Sequence, residues 1–191
     1  MADDGPEPGD LVIPGVLLEA SLAPLALLLG WLVGQPPLSG FAWNARDAAI
    51  GVLATGPLLA LFFLIVRWPV GPLGRIEQIC DETLRPVLEG CTWPDLALLA
   101  VAAGVGEEML FRGVLQGALG QWLGPWMGLA LAAPIFGMAH PITPTYAVLV
   151  SLIGAYLGAV WMFNGNLLTV MVAHAVYDFI ALVVLLRERT A

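Results

Sequence analysis

The chain contains no lysine and carries little charge of either sign. Only 12% of its 191 residues are charged and 59% are hydrophobic, whereas soluble domains have roughly 25% charged and 45–50% apolar residues. Together with a mean hydropathy of +0.87, this composition excludes a soluble protein. Since a membrane-spanning helix takes about 20 residues, about six spans with short connections would use nearly the whole length. Any chemistry must therefore come from side chains inside or beside the bilayer.

Basic surfaces and metal-binding cysteine motifs are also absent. The arginines are outnumbered by 15 acids and form no basic patch, so nucleic acid is not an expected partner. The acidic tail over 1–10 lacks the positive region of a cleaved signal peptide, and we expect the first hydrophobic segment to remain in the mature protein. Cys80 and Cys91 have no CxxC partner, so we interpret them as inert thiols, with a disulfide as the alternative.

Apolar runs separated by proline, glycine and asparagine turns predict an all-helical integral membrane protein. The predicted spans are 11–34, 45–68, 95–119, 125–140, 145–163 and 166–186. The fourth run is short and contains Pro134, which predicts a tilt or a kink. We therefore expect the acidic tail over 1–10 to be followed by a single membrane domain over 11–191.

Residues 72–90, between the second and third spans, show the pattern of an amphipathic helix. Its apolar positions are Leu73, Ile76, Cys80, Leu84 and Val87, and its polar positions are Arg75, Gln78, Glu82, Arg85 and Glu89. Because the polar face is mixed in charge and not basic, we interpret the segment as a structural bracket at the membrane surface rather than a sensor of anionic lipid.

The arginines outside the spans predict the orientation of the chain. Those on one side of a six-span topology are Arg67, Arg75, Arg85, Arg187 and Arg189, and Arg46 lies on the other side. Since loops rich in arginine stay in the cytoplasm, both termini are expected there. A compact, lysine-free composition rich in alanine, leucine and glycine favours a bacterial plasma membrane.

Three charged residues, Glu107, Glu108 and Arg112, lie in the middle of the third span. Each costs at least about 2.5–3.5 kcal/mol on insertion scales, so their presence there needs a reason. Glu108 and Arg112 are four residues apart and share a helix face, with the acid in the favourable N-terminal position. Glu107 points about 100° away from Glu108. We therefore predict that Arg112 neutralises Glu108 and leaves Glu107 free, the alternative being a purely structural ion-pair cluster.

The two histidines of the chain are both intramembrane. His140 ends the fourth span directly before Pro141, a pairing that marks a helix end. His174 lies in the last span with Asp178 one turn further along the same face, where a carboxylate can hold the tautomer of the ring. Each histidine could instead make only a packing hydrogen bond. Since both histidines, Glu107 and Asp178 fall at similar predicted depths, we expect them to form one site.

Glu19 is the remaining intramembrane acid, and it has no evident partner in the first span. We interpret it as a structural residue or a liner of an access path rather than a catalytic group. The chain has no glycine-rich phosphate loop, no GxSxG elbow and no HExxH helix. The buried charges and histidines are therefore the only chemistry that the sequence offers.

These residues form three motifs: EExxxR at 107–112, FxxxH at 136–140 and HxxxD at 174–178. In this order, the set resembles the CAAX protease and bacteriocin-processing (CPBP) family of intramembrane peptidases, which includes the type II CAAX prenyl endopeptidase. The resemblance covers about 93–186 and implies a four-helix catalytic core. It is carried by the order, spacing and intramembrane placement of the motifs together.

The resemblance implies peptide-bond hydrolysis, with Glu107 as the base that activates a water and His140 as its helper. It also implies that His174 and Asp178 stabilise the oxyanion, although an asparagine is common in the family where this chain has Asp178. Both metal-dependent and metal-free members are described. Glu107, His140 and His174 could hold Zn²⁺ with water in the fourth position, or the same groups could act without a metal.

The predicted partners are the lipid bilayer and a membrane-associated peptide or protein substrate. The resemblance does not transfer a CAAX substrate to this chain. Two other functional classes stay open: an inactive protease-like scaffold or immunity protein, and a small transporter whose buried acids bind a cation or proton. Convergence of Glu107, His140 and His174 at one place would favour the peptidase.

Cysteine accessibility in a variant without the two native cysteines tests the predicted topology. Arg75→Cys and Glu188→Cys should both react with a membrane-impermeant maleimide from the cytoplasmic side, because the arginine-rich segments share that side. Arg46→Cys should react from the opposite side and serves as the control. Labelling of positions 75 and 188 from opposite sides would contradict this topology.

Overall fold

The computed structural model describes residues 12–79, 82 and 85–187, and these residues form helices and turns without a strand. In chain order the elements are α1 (Val12–Val33), α2 (Ala45–Arg67), α3 (Pro72–Ile79), α4 (Arg85–Leu88), α5 (Trp93–Glu108), a π-helix (Met109–Gln116), α6 (Gly117–Leu123), α7 (Pro125–Met138), α8 (Pro144–Asn164) and α9 (Leu167–Arg187). The all-helical fold class is confirmed. The acidic tail and Arg189 lie outside the described residues.

Four helices in the described part of the chain, α1, α2, α8 and α9, are long and apolar enough to cross a membrane. The chain is therefore a multi-pass membrane protein. Helix α7 has only 14 residues, about 21 Å at 1.5 Å per residue. The α5, π-helical and α6 segments follow one another over 93–123 and carry the charged cluster. The six-span count stays a prediction, although each predicted span contains a helix.

Polar residues and a glycine set several helix ends. Asp95 accepts a hydrogen bond from the Thr92 backbone N–H at 2.8 Å, which forms a capping box at the start of α5. The Thr143 hydroxyl accepts from the Tyr146 backbone N–H at 3.0 Å at the start of α8. Gly165 ends α8 with a φ of 78°, a left-handed conformation that favours glycine. Because the sequence displays these turn residues, the predicted boundaries lie within a few residues of the observed ones.

Asn166 ties the turn between α8 and α9 to the segment before α2. Its Nδ2 donates to the Ala42 carbonyl at 2.9 Å and to the Asp47 carboxylate at 2.8 Å. Its Oδ1 accepts from the Ala42 N–H at 3.1 Å. The amide therefore joins the two turns through both backbone groups of Ala42, and it holds the start of α9 beside α2.

Helix α9 is central, because it packs against α2 and against α5, while α7 packs on α8 and α1 on α5. In two of these contacts, the backbones of the two helices approach each other closely. A Cβ added to Gly51 of α2 would lie 2.5 Å from the Thr169 carbonyl, and one added to Gly104 of α5 would lie 2.9 Å from the Met171 carbonyl. Small residues at membrane helix interfaces permit such an approach. The end of α5, which carries the two glutamates, is thereby held against α9.

The predicted amphipathic segment over 72–90 contains α3 and α4. Ile76 is buried, whereas Arg75 and Gln78 are exposed, as the apolar and polar faces predicted. Arg85 donates from Nη2 to the Leu185 carbonyl at 2.6 Å, which ties α4 to the end of α9. Cys80 and Leu84 lie outside the described residues, so the interpretation of Cys80 and Cys91 as free thiols stays a prediction. The position of this segment at a membrane surface stays a prediction.

Gly106 lets α1 touch α5, since a Cβ at this position would clash with the Glu19 backbone carbonyl. Gly106→Ala should push the helices apart and lower the melting temperature in detergent, because overpacking typically costs about 1–3 kcal/mol. Gly56→Ala is the matched control, since nothing lies within 4 Å of a Cβ there and alanine favours helix. Equal melting temperatures of the two variants would contradict the contact.

Candidate active site

The charged cluster lies where an α-helix changes into a π-helix. Glu107 and Glu108 end α5, and the next eight residues are π-helical. A π-helix alters the pattern of backbone hydrogen bonds and is frequent at functional sites. Two glutamine side chains support the segment: Gln35 Nε2 donates to the Gly113 carbonyl, and Gln116 Nε2 donates to the Gly158 carbonyl, both at 3.1 Å. The apolar spacing here suits an α-helix equally well, so the π-helix was not predictable from sequence.

The Glu108 carboxylate is completely buried and links three parts of the fold. Its Oε1 accepts from Arg112 Nη1 at 2.8 Å and lies 2.8 Å from His174 Nδ1 on α9. Arg112 also donates from Nη2 to the Gly154 carbonyl of α8 at 3.0 Å, and its guanidinium stacks 4.4 Å from the centre of the Phe136 ring. The predicted pairing of Glu108 with Arg112 is confirmed. The bond to His174 was not predicted, because nothing in the sequence relates the rotation of α9 to that of α5.

Glu107 faces His140. This agrees with the prediction that Arg112 pairs with Glu108 and leaves Glu107 free for another partner. Glu107 Oε1 lies 3.7 Å from His140 Nε2, and the exposed fractions of the two side chains are 9% and 28%. His140 Nδ1 lies 2.8 Å from the Phe136 carbonyl. Since a carbonyl only accepts hydrogen bonds, Nδ1 is the donor there. The other ring nitrogen of His140 is thereby left facing the Glu107 carboxylate.

His174 lies between two carboxylates. Its Nδ1 contacts Glu108, and its Nε2 lies 3.4 Å from Asp178 Oδ2. Because each carboxylate is an acceptor, both ring nitrogens carry a hydrogen when both contacts are made, and the ring is then positively charged. The predicted proximity of His174 and Asp178 is present, with Asp178 partly exposed at 28%.

An apolar cavity of about 370 Å³ connects these side chains. Its acids and histidines are Glu19, Glu107, His140, His174 and Asp178. Side chains from α2, α5, α8 and α9, with Ile76 of α3 and Phe136 of α7, form most of the remaining wall. Glu108 and Arg112 lie behind this wall, so their charges support the site without facing the cavity.

Glu19 is the residue whose position differs most from the sequence interpretation. It lines the cavity, as an access-path residue would, but its carboxyl also lies beside that of Glu107. The only sequence signal for a role in the site was the presence of an acid in an apolar span. The sequence did not indicate its proximity to Glu107, because the two residues lie on helices that are distant in sequence. The site therefore draws on α1 as well as on the predicted third, fourth and sixth spans.

The predicted zinc ligands are not arranged as a preformed metal site. Zinc sites use three protein ligands with available lone pairs, whereas both ring nitrogens of His174 face carboxylates. Within the parts of the chain that the structure describes, no three His, Cys, Asp or Glu side chains are grouped as metal ligands. A role for Glu107, His140 and His174 in binding Zn²⁺ thus rests on the resemblance alone.

Residues 89–180 match a family model described as type II CAAX prenyl endopeptidase Rce1-like. This segment belongs to the CAAX protease family. The matched segment includes all six predicted site residues and leaves out Glu19. No curated protein and no solved structure gives a significant match. Membership of the CAAX protease family associates the chain with proteolysis in a membrane.

The two neighbouring glutamates should contribute differently to stability. Glu108→Ala leaves Arg112 without its carboxylate and His174 with Asp178 alone, and breaking a buried pair typically costs about 3–5 kcal/mol. Glu107→Ala removes a side chain that faces the cavity and should cost less. Melting temperatures in the same detergent measure the difference. An equal loss in the two variants would contradict the division of roles.

Proposed function

We propose that the protein is an intramembrane endopeptidase that hydrolyses a peptide bond with a water activated by Glu107 and His140. The observation that carries this proposal is the separation of 3.7 Å between Glu107 Oε1 and His140 Nε2. That distance is too long for a direct hydrogen bond, yet a water between the two atoms could reach both at about 2.8 Å. Both side chains line the cavity, so the same water would be within reach of a bound substrate.

The tautomer of His140 supports this role. Because Nδ1 donates to the Phe136 carbonyl, the neutral ring presents Nε2 as an acceptor. The Glu107 carboxylate is also an acceptor. A water placed between them therefore donates one hydrogen to each, and its lone pairs point away from both groups. A substrate carbonyl in the cavity is the natural target of those lone pairs.

In the proposed reaction, the water oxygen attacks the carbonyl carbon while Glu107 takes a proton from the water. The carbonyl oxygen becomes negative, and the positively charged His174 ring stabilises it from the cavity wall. The 2.8 Å contact of Glu108 with Nδ1 orients His174, as the carboxylate of a catalytic triad orients its histidine. The hydrogen on Nε2, which lies 3.4 Å from Asp178 Oδ2, is then the one shared with the oxyanion. Glu107 passes its proton to the leaving nitrogen, the carbon–nitrogen bond breaks, and Glu107 returns to its starting state.

The lining of the cavity indicates an apolar substrate segment. Besides the polar groups, the wall includes side chains near the ends of α2 and α9 and one from α3, among them Val66, Leu185 and Ile76. The cavity thus extends from the glutamates towards the end of the bundle where α3 packs. We propose that a membrane-associated peptide enters here with its apolar side chains in the cavity.

Glu107→Gln should abolish measurable turnover while the fold survives, because glutamine keeps the shape of the side chain and loses the base. General-base assistance is typically worth about 10²–10⁴-fold. The measurement is cleavage of a membrane-tethered peptide library in proteoliposomes, followed by mass spectrometry. Glu89→Gln makes the same chemical change at an exposed position and should cleave like the wild type. Equal cleavage by Glu107→Gln and wild type would refute the assignment of the base.

A chelator separates the two mechanisms that the family resemblance leaves open. The water-activating pair described above requires no metal, so turnover should be unchanged by chelation and by added Zn²⁺. Loss of turnover on chelation and its return with Zn²⁺ would establish the metal-dependent mechanism instead. If no peptide is cleaved, a proton or cation flux assay in liposomes tests the transporter alternative. The structural reason for that alternative is that the carboxyls of Glu19, Glu107 and Asp178 line one cavity.

A further inference from the structure

Helix α1 lies outside the segment that matches the family model, yet it supplies an acid to the site. The carboxyl of Glu19 lines the cavity and lies beside that of Glu107. The Oε2 atoms of both residues are buried and have no hydrogen-bond donor among the residues described here. Two buried acceptors without a donor are costly, so their juxtaposition needs a physical account.

The backbone fixes this juxtaposition. Because Gly106 has no side chain, the Glu19 carbonyl rests directly against α5 at the residue that precedes Glu107. Helix α1 also packs along α5 and along the π-helix. The packing of α1 on α5 therefore places the Glu19 backbone next to Glu107, so the two carboxyls are close without a large movement of the Glu19 side chain.

A single proton between the two carboxyls satisfies both. Two carboxylates in contact in a site of low dielectric cannot both be ionised at acceptable cost. One protonated carboxyl becomes a donor, and its partner accepts. The charges of the cluster lead to the same result. Its acids are Glu19, Glu107, Glu108 and Asp178, and its cations are Arg112 and the His174 ring, since the water-activating His140 is neutral. The acids therefore outnumber the cations, and a proton on the pair of Glu19 and Glu107 reduces that excess.

We propose that Glu19 is a positioning residue that shares one proton with Glu107 and thereby aims the catalytic carboxylate, an inference that rests on the function proposed above. Protonated Glu19 donates to Oε2 of Glu107. The other oxygen, Oε1, is the one that faces His140 Nε2, and it stays available for the water. The shared proton remains between the acids throughout turnover, while the proton taken from water passes through Oε1 to the leaving nitrogen.

Infrared spectroscopy of the purified protein at neutral pH tests proton sharing without any substrate. The wild-type minus Glu19→Gln difference spectrum should contain the carbonyl band of a protonated carboxylic acid. The wild-type minus Glu89→Gln spectrum, for a matched exposed acid, should lack it. Absence of the band from the Glu19→Gln difference spectrum would overturn the proposal, whether or not a peptide substrate has been found.

Turnover tests the positioning role. Glu19→Ala removes the donor to Glu107 and should lower kcat by about ten- to a hundredfold, the equivalent of one hydrogen bond to a charged group, with little change in KM. Glu19→Gln retains an N–H donor and should lose clearly less. Leu18→Ala, at an exposed neighbouring position, controls for general damage to α1, and melting temperatures verify folding.

Two outcomes of the kinetic experiment would overturn the proposal: wild-type kcat in Glu19→Ala, or an equal loss of kcat in Glu19→Ala and Glu19→Gln with both variants folded. A drop in kcat that parallels a drop in melting temperature would assign Glu19 a structural role and would also overturn it. Failure of the wild type to cleave any peptide would instead refute the proposed function, and the infrared measurement would still decide whether the proton is shared.

Discussion

The buried carboxylate of Glu108 is the group on which the rest of the site depends. It is fully buried, and its Oε1 is bound by both Arg112 from the π-helix and His174 from α9. Removing an ion from water costs several kcal/mol unless its partners are in place. The bundle is therefore restricted to arrangements in which α5 and α9 meet at this depth, with α8 supplying the Gly154 carbonyl to Arg112. The orientation of His174 towards the cavity follows from the same contact.

Two glutamates adjacent in sequence thus have opposite environments. A helix turns by about 100° per residue, so only one of the two can face the Arg112 and His174 cations directly. Glu108 lies behind the wall with its Oε1 held by Arg112 and His174, whereas Glu107 faces the cavity with one oxygen towards His140. One residue type thus supplies a fixed buried charge and a carboxylate that faces the cavity, through rotation about one helix axis.

The sequence was sufficient to select six residues that the structure brings together, because charges and histidines inside apolar runs are rare and costly. It also predicted the Glu108–Arg112 pair, since that contact is local to one helix. The contacts of Glu108 with His174 and of Glu19 with Glu107 were not predictable, because they depend on how distant helices cross and rotate. The sequence did not predict the π-helix either, because apolar spacing does not distinguish a π-helix from an α-helix. It also did not determine the number of complete spans, since α7 is shorter than the thickness of a bilayer.

The placement of Glu19 on α1 has a consequence for biogenesis. Helix α1 leaves the ribosome well before α5, so it enters the membrane when neither Glu107 nor any of the cations has been made. A lone charged side chain in a bilayer is costly, and a lone acid avoids that cost by entering neutral. The hydrogen later shared with Glu107 is then already present on α1 when that helix is inserted. His174 arrives later, on α9, so the polar cluster is completed only when α9 docks between α2 and α5.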